Sequence, residues 1–225
     1  MSIEFLLDSA NPSIWKAFNS FGLFQGITTN PSLLKRAKEP CSIENLRHLA
    51  VIAESLGYKK IHFQAWGRTA EDIVDCGKQI ALISSNTIKV LVKIPITSAG
   101  IKAAKKLIAT KIPITFTACY EPKQVLIASS LGAEYIAPYL GRINDQGQDG
   151  IAELILMQEI LEGISSKCKL LVASIRDINE INYLASKRIN VFTINEKLVQ
   201  DLISSNTTLE AANLFEEDAI NNTPI

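Results

Sequence analysis

The chain has little of what a metal centre or a disulfide framework requires. Its 225 residues include two histidines and four cysteines. His48 and His62 match no spacing typical of metal ligands, so the sequence favours a protein without a metal centre. The cysteines are widely spread and form no Cys-x-x-Cys pair, which predicts buried free thiols in a reducing compartment. They are Cys41, Cys76, Cys119 and Cys168.

Net charge and long apolar runs are also missing. With 23 basic and 23 acidic residues the formal net charge is zero, which argues against a nonspecific nucleic-acid binder. No apolar run approaches the length of a membrane span, and the first residues, Met-Ser-Ile-Glu, do not form a signal peptide. We therefore expect a cytoplasmic protein with neither a nucleic-acid nor a membrane partner.

What the chain does have is a repeated alternation of short apolar runs and helical patterns. The runs predict strands at 3–7, 23–27, 60–65, 90–97, 113–118, 134–139, 169–174 and 190–194. Eight such units in this length fit a single-domain (β/α)8 TIM barrel over residues 1–225, with a polar loop at 141–150 and an extra helix at about 209–217. A doubly wound open sheet is the competing fold, but no glycine-rich fingerprint follows the first strand.

The predicted fourth strand contains a lysine within a run of branched apolar residues. A buried ammonium is expensive unless it is paired or neutral, and burial favours the neutral, nucleophilic amine. Lys93 is therefore a candidate Schiff-base residue. The alternative is that Lys93 ends the strand and extends to solvent. Alternation places Lys93 and Leu91 on one face, so the barrel fold predicts that Lys93 points inward.

Polar residues stand at the carboxyl end of every predicted strand, where barrels of this type carry their active sites. Some of them have a purely structural explanation. Asn30 suits a helix N-cap, and the two arginines suit surface ion pairs with Asp145, Asp149 or Asp177. Arginines after two adjacent strands also suit a phosphate group. The set comprises Asp8, Thr28, Asn30, Gln64, Lys93, Thr117, Tyr139, Arg142, Ser174, Arg176, Thr193 and Asn195.

Several segments at these strand ends together resemble the transaldolase family. They are Gly-Ile-Thr-Thr-Asn-Pro-Ser at 26–32, Val-Lys-Ile-Pro at 92–95, Ala-Pro-Tyr at 137–139, Gly-Arg-Ile at 141–143 and Ala-Ser-Ile-Arg at 173–176. Each segment alone is a weak signal, but they follow the family's order across nearly the whole chain. The short chain resembles the small branch, which includes fructose-6-phosphate aldolase.

The resemblance implies a class I aldolase that needs neither a metal nor an organic cofactor and acts on sugar phosphates. In that family Lys93 would form the Schiff base, Asp8 would transfer protons, and Thr117 would hold the catalytic water. Asn30, with Thr28 beside it in the same segment, would position the donor. The phosphate would be bound by Arg142, Ser174 and Arg176. The family also implies a homo-oligomer, pentameric or decameric, with the C-terminal helix packed on a neighbour.

Two positions bear on the activity within the family. The transaldolases usually carry glutamate and phenylalanine where this chain has Gln64 and Tyr139, and that pair resembles the fructose-6-phosphate aldolase branch. A glutamine orients a water without taking its proton, so the Tyr139 phenol would serve as the acid or base. Phe116 and the segment at 121–122 look less like that branch, so the activity stays open.

Two alternatives of other kinds remain at this point. One is a non-catalytic sugar-phosphate-binding barrel, which would keep Arg142 and Arg176 without needing a reactive Lys93. The other is a different Schiff-base aldolase, such as one acting on deoxyribose phosphate, which gives no reason for the Thr-Thr-Asn-Pro segment.

Overall fold

The computed structural model describes residues 2–222. Its strands pair in chain order into a closed parallel barrel in which β8 returns to β1, so the predicted TIM barrel is confirmed. The strands are β1 Glu4–Asp8, β2 Phe24–Thr28, β3 Lys60–Gln64, β4 Lys89–Pro95, β5 Ile114–Cys119, β6 Tyr135–Pro138, β7 Lys169–Val172 and β8 Val191–Ile194.

Helices follow each strand and surround the barrel. They are α1 Pro12–Asn19, α2 Pro31–Ala37, α3 Ile43–Ser55, α4 Ala70–Ala81, α5 Ser98–Ala109, α6 Lys123–Leu131, α7 Leu140–Asp145, α8 Gly150–Gly163, α9 Ile178–Ser186, α10 Glu196–Ile203 and α11 Asn206–Asn221. The loop predicted at 141–150 is wrong in its first half, where α7 lies. That helix is too short to show a period and buries Leu140 and Ile143, one turn apart. α11 includes the predicted range 209–217 and is longer.

Alternation along the strands divides the apolar side chains into two cores. Val90, Val92 and Ile94 of β4 are fully buried between the barrel and its helices. Each such side chain contributes about 1.5–3 kcal/mol to folding. Side chains of the opposite face fill the barrel interior and form a second cluster of Leu6, Leu91, Tyr135, Ala137, Leu171 and Val191. The barrel is therefore a packed core that is open to chemistry only at its ends.

The end of the barrel where the strands begin, here called the amino-terminal mouth, is closed by an ionic cluster. Glu4 Oε1 accepts hydrogen bonds from Lys60 Nζ at 2.7 Å and from Tyr135 Oη at 3.1 Å. Lys169 Nζ lies 3.4 Å from Glu4 Oε2. Gly26 makes room for the cluster, because a Cβ at that position would lie 2.6 Å from the Lys60 carbonyl oxygen.

The cysteines and the helices test two expectations about the surface. Cys76, Cys119 and Cys168 are buried, but Cys41 is exposed, so the prediction of buried thiols is wrong there. Cys41 lies in the connection between α2 and α3, outside the helix faces that pack on the barrel. Within residues 2–222, no helix combines the length and the apolar character needed to cross a bilayer.

Candidate active site

Lys93 lies inside the barrel near its other end, the carboxyl-terminal mouth. It is two residues beyond Leu91 of the interior cluster and only 3% exposed, so it does not extend to bulk solvent. In the register of the sheet it stands opposite Gln64 on β3 and Thr115 on β5. No carboxylate in residues 2–222 lies within 4.0 Å of its Nζ. A buried amine without an ion pair is therefore the central feature of this mouth.

Asp8 ends β1 and belongs to a hydrogen-bonded chain across three strands. Thr28 Oγ1 lies 2.7 Å from Asp8 Oδ1 and donates to it, and also lies 2.5 Å from Thr193 Oγ1 on β8. Burial raises the pKa of Asp8 above its ordinary value, and the opposing charges of Lys93 and Arg36 with the Thr28 hydrogen bond do not cancel that effect. A carboxyl group whose pKa moves toward neutrality is well suited to proton transfer.

Tyr139 and Thr117 form a second proton-carrying pair. Thr117 Oγ1 and Tyr139 Oη are 2.7 Å apart, in a partly buried position. Tyr120 meets the Tyr139 ring edge-on, with ring centroids 5.8 Å apart, and the Arg142 guanidinium lies 4.9 Å from the Tyr139 ring centre. The phenol is thus fixed by a hydrogen bond and two ring contacts while the tyrosine stays partly accessible.

Asn30 combines its structural and its predicted binding role. Its Oδ1 accepts the backbone N–H of Leu33 at 2.9 Å and caps α2, which begins at Pro31. The carbonyl oxygen of the amide is therefore engaged in the cap. The Asn30 NH₂ group, held in orientation by the cap, therefore remains a donor for a substrate oxygen.

The residues predicted to bind phosphate lie at the rim of the mouth and differ in their backbone conformation and side-chain contacts. Ser174 adopts a left-handed backbone with φ of 58°, which is unfavourable for a non-glycine residue and marks a constrained turn after β7. Arg176 makes a two-point ion pair with Asp145, as the surface-pair alternative proposed. Arg142 has no carboxylate partner within 4.0 Å in the described residues and lies 3.5 Å from Tyr120 Oη.

His62 is the residue near Lys93 that sequence reasoning missed as part of the site. It is fully buried, its Nδ1 lies 3.0 Å from Thr115 Oγ1, and its Nε2 has no hydrogen-bond partner among residues 2–222. Burial, and then the positive charge of Lys93, hold the pKa of His62 well below its ordinary value, so the imidazole is neutral. Counting back two residues from Gln64 on β3 would have placed His62 inside the barrel.

Tyr120 was also missed as a contact of the site, whereas Asp145, one of the three predicted ion-pair partners of the arginines, pairs with Arg176. Each of the two residues lies far in the chain from the arginine that it contacts. No group of three or more histidine, cysteine, aspartate or glutamate side chains in the described residues is arranged to hold a metal ion. The mouth instead brings together an amine, a carboxyl group, a phenol and two guanidinium groups.

Comparison with known proteins places the chain among relatives of one kind. The family model for transaldolase/fructose-6-phosphate aldolase matches residues 5–223. A probable transaldolase of Oceanobacillus iheyensis is 32% identical over 96% of this chain and 98% of that protein. A probable transaldolase of Nitrosopumilus maritimus is 35% identical over 77% of this chain and 75% of that protein.

Two solved structures with a similar fold share little sequence identity with the chain. A flavocytochrome B2 mutant superposes with a TM-score of 0.57 and 14% identity over 86% of this chain. A mandelate oxidase mutant gives 0.55 and 15% over 87%. The chain spans 56% of the first and 64% of the second, and at such identities the likeness concerns the barrel fold alone.

Proposed function

Because the chain belongs to the transaldolase/fructose-6-phosphate aldolase family, we propose that it is a metal-independent class I aldolase. It takes a dihydroxyacetone unit from a ketose phosphate such as fructose 6-phosphate. The observation that carries the proposal is Lys93, a buried amine on the inner face of β4 with no carboxylate within 4.0 Å of its Nζ among residues 2–222. An amine held in this way serves as a nucleophile toward a carbonyl group.

The proposed reaction begins at Lys93. The nitrogen lone pair of its amine adds to the substrate ketone, and loss of water gives an iminium ion. A hydroxyl group on the neighbouring part of the sugar then gives up its proton, and the carbon–carbon bond beside the iminium breaks. The bonding electrons move into the iminium, which becomes an enamine, and an aldehyde phosphate leaves. The three-carbon unit stays covalently bound to Lys93.

The acid–base roles follow from the two proton-carrying groups of the mouth. In the proposed reaction Asp8, whose raised pKa supports this role, accepts the proton from the substrate hydroxyl. The Tyr139 phenol and Thr117 hold the water that leaves when the imine forms and that later hydrolyses it, and Gln64, paired with Lys93 across the sheet, orients this water. Tyr139 is the alternative base for the same proton, and the kinetics of variants at Asp8 and at Tyr139 would distinguish the two residues.

Substrate binding is assigned to the rim and to the second strand. The amide NH₂ of Asn30 donates to a hydroxyl group of the three-carbon unit, and Thr28 keeps Asp8 oriented beside it. Arg142, Ser174 and Arg176 hold the phosphate of the aldehyde half.

The fate of the enamine decides between two activities. Transfer to an aldose phosphate makes the enzyme a transaldolase, and release after hydrolysis makes it a fructose-6-phosphate aldolase. The names of the relatives favour transfer, whereas the pairing of Gln64 with Tyr139 favours release. A coupled assay of fructose 6-phosphate with and without erythrose 4-phosphate separates them, because only an aldolase turns over without the acceptor.

Borohydride trapping tests the first half-reaction. Reduction in the presence of fructose 6-phosphate should leave a stable adduct on Lys93, and Lys93→Ala should abolish it. Lys89→Ala is the matched control, since Lys89 lies on the same strand at the other mouth and pairs with Glu134. An adduct that still forms in the Lys93→Ala variant would contradict the mechanism. Undiminished sugar-phosphate binding by Lys93→Ala, with no turnover by the unaltered protein, would instead favour a non-catalytic binding barrel.

The proposal extends to a homo-oligomer, pentameric or decameric, in the cytoplasm. Helix α11 has no buried residue in the single chain, and four large apolar side chains on it are at least 60% exposed: Leu209, Leu214, Phe215 and Ile220. Such a surface suits burial against a second copy. Sedimentation velocity should show an oligomer that Leu214→Ser with Phe215→Ser weakens, and a monomeric unaltered protein would contradict it.

A further inference from the structure

The two arginines of the phosphate rim differ in their charge balance. Arg176 Nη1 and Nη2 donate to the two carboxylate oxygens of Asp145 at 2.7 and 2.5 Å. Arg142 faces aromatic groups instead, with its guanidinium over the Tyr139 ring. Among the described residues, the rim therefore presents one arginine with no carboxylate within 4.0 Å and one that is paired with a carboxylate.

The structure holds Arg176 in the paired position by shape as well as by charge. A Cβ at Gly141 would lie 2.7 Å from Arg176 Nε and 3.1 Å from its Cζ, so the guanidinium rests against a bare stretch of backbone. The Gly141 N–H donates to the carbonyl oxygen of Ser174 at 2.9 Å, which joins the start of α7 to the turn after β7. Asp145, at the end of α7, is thereby brought onto Arg176.

We propose that Asp145 is a specificity-determining residue that competes with the substrate phosphate for Arg176. It would set how strongly the enzyme prefers phosphorylated over unphosphorylated aldehydes. The inference rests on the proposed function, in which Arg176 binds the phosphate, and assigns a role to a residue that never needs to touch the reacting atoms.

Exposure makes this competition possible. The side chains of Arg176 and Asp145 are 58% and 53% exposed, and ion pairs so accessible to water contribute little and exchange readily. A phosphate monoester carries a charge of about −1.5 to −2 near pH 7 and displaces a carboxylate from the same guanidinium. The displaced Asp145 stays anchored on α7, so its negative charge remains close to the phosphate and repels it.

Asp145→Asn isolates this charge. Asparagine keeps the size of aspartate and an oxygen that accepts from Arg176, while the repulsion disappears. Glu162→Gln is the matched control, because Glu162 also forms an exposed pair with an arginine, Arg188, at a contact of 3.8 Å on the side of the barrel away from the rim.

The test has a binding arm and a kinetic arm. In calorimetric titration with inorganic phosphate at low ionic strength, Asp145→Asn should bind about fivefold more tightly than the unaltered protein, with a smaller gain at high salt. The ratio of kcat/KM for glyceraldehyde 3-phosphate over glyceraldehyde as acceptors should rise by a similar factor. Glu162→Gln should change neither quantity.

Three results would overturn the inference. Weaker phosphate binding by Asp145→Asn would mean that the carboxylate orients Arg176 for the ligand, and unchanged binding would make it an ordinary surface pair. No phosphate binding by either protein would remove the competition altogether. Failure of the proposed function looks different, since tighter phosphate binding by Asp145→Asn without a trapped Lys93 adduct would leave the rim as described and refute only the aldolase chemistry.

Discussion

Three strands of the barrel carry the same kind of side chain at their two ends, in different surroundings. At the amino-terminal mouth each of these groups has a partner of opposite charge or a hydrogen bond to one, and at the carboxyl-terminal mouth none has an ion pair within 4.0 Å in the described residues. The pairs, each four residues apart, are Glu4 and Asp8 along β1, Lys89 and Lys93 along β4, and Tyr135 and Tyr139 along and just after β6.

The two acids of β1 show the consequence of this difference. Burial acts on both, but at Glu4 the hydrogen bond and charge of Lys60, with Lys169, outweigh it and hold the pKa below its ordinary value. At Asp8 burial prevails and the pKa is raised. The amino-terminal mouth therefore uses its charges for stability, whereas at the other mouth the burial of Asp8 is not compensated, which suits proton transfer.

The largest effect on turnover is expected when each of the two lysines of β4 is replaced in turn. Lys93→Met should reduce turnover of fructose 6-phosphate by at least about 10³-fold, because in the proposed mechanism only Lys93 forms the Schiff base. It should leave the free energy of unfolding equal or higher, since a buried amine that has no ion pair within residues 2–222 is replaced by an apolar chain. Lys89→Met should leave turnover intact, as its pair with Glu134 is half exposed. Both effects are measured by steady-state turnover and by urea unfolding of the two variants. An active Lys93→Met variant would contradict the assignment of catalysis to the carboxyl-terminal mouth.

Removing the charge of Glu4 tests the amino-terminal mouth. Glu4→Gln should lower the free energy of unfolding by about 2–3 kcal/mol, because it leaves two lysines facing each other around Tyr135. Turnover at a temperature where the variant stays folded should not change. Urea unfolding near neutral pH is the measurement, with Glu71→Gln as a control whose exposed pair with Lys106 should matter little. Equal losses in the two variants would show that the cluster is an ordinary surface network.

The two tyrosines divide stability from activity in the same way. Tyr139→Phe removes the hydroxyl bonded to Thr117 and should reduce turnover by about 10²-fold with little change in unfolding. Tyr135→Phe removes the hydroxyl bonded to Glu4 and should lower stability by about 1 kcal/mol with turnover unchanged. Steady-state kinetics and thermal unfolding of both variants provide the comparison. A Tyr135→Phe enzyme that loses turnover would mean that the two mouths are coupled through the barrel.

Much of this contrast was accessible from the sequence, and the reason is periodicity. Alternation along β4 was enough to place Lys93 inside, and the strand ends were enough to predict one rim. Contacts between distant parts of the chain were not accessible, as for His62 with Thr115, 53 residues apart, and Arg142 with Tyr120, 22 residues apart. The pair of Arg176 with Asp145 was predicted only as one of several alternatives. Short elements were also lost, because the six residues of α7 complete fewer than two helical turns.

The smallest effect is the pH dependence that the two acids of β1 give to the free energy of unfolding. Its sign is expected to be opposite for the two acids. Because the pKa of Glu4 is lower in the folded chain, its contribution to stability is complete above its ordinary value of 4.5 and is lost as the pH falls through the folded value. The deficit of Glu4→Gln should therefore shrink as the medium is acidified.

For Asp8 the sign is opposite. Its raised pKa means that ionisation opposes folding, so stability is highest below its ordinary value of 3.8 and falls as the pH rises through the folded value. Asp8→Asn keeps an acceptor for Thr28 and should be more stable than the unaltered protein at about pH 7, with the gain vanishing in acid. Urea unfolding across this pH range measures both variants. If Asp8→Asn were less stable at neutral pH, Asp8 would be compensated as fully as Glu4, and the difference between the two mouths would not lie in their charges.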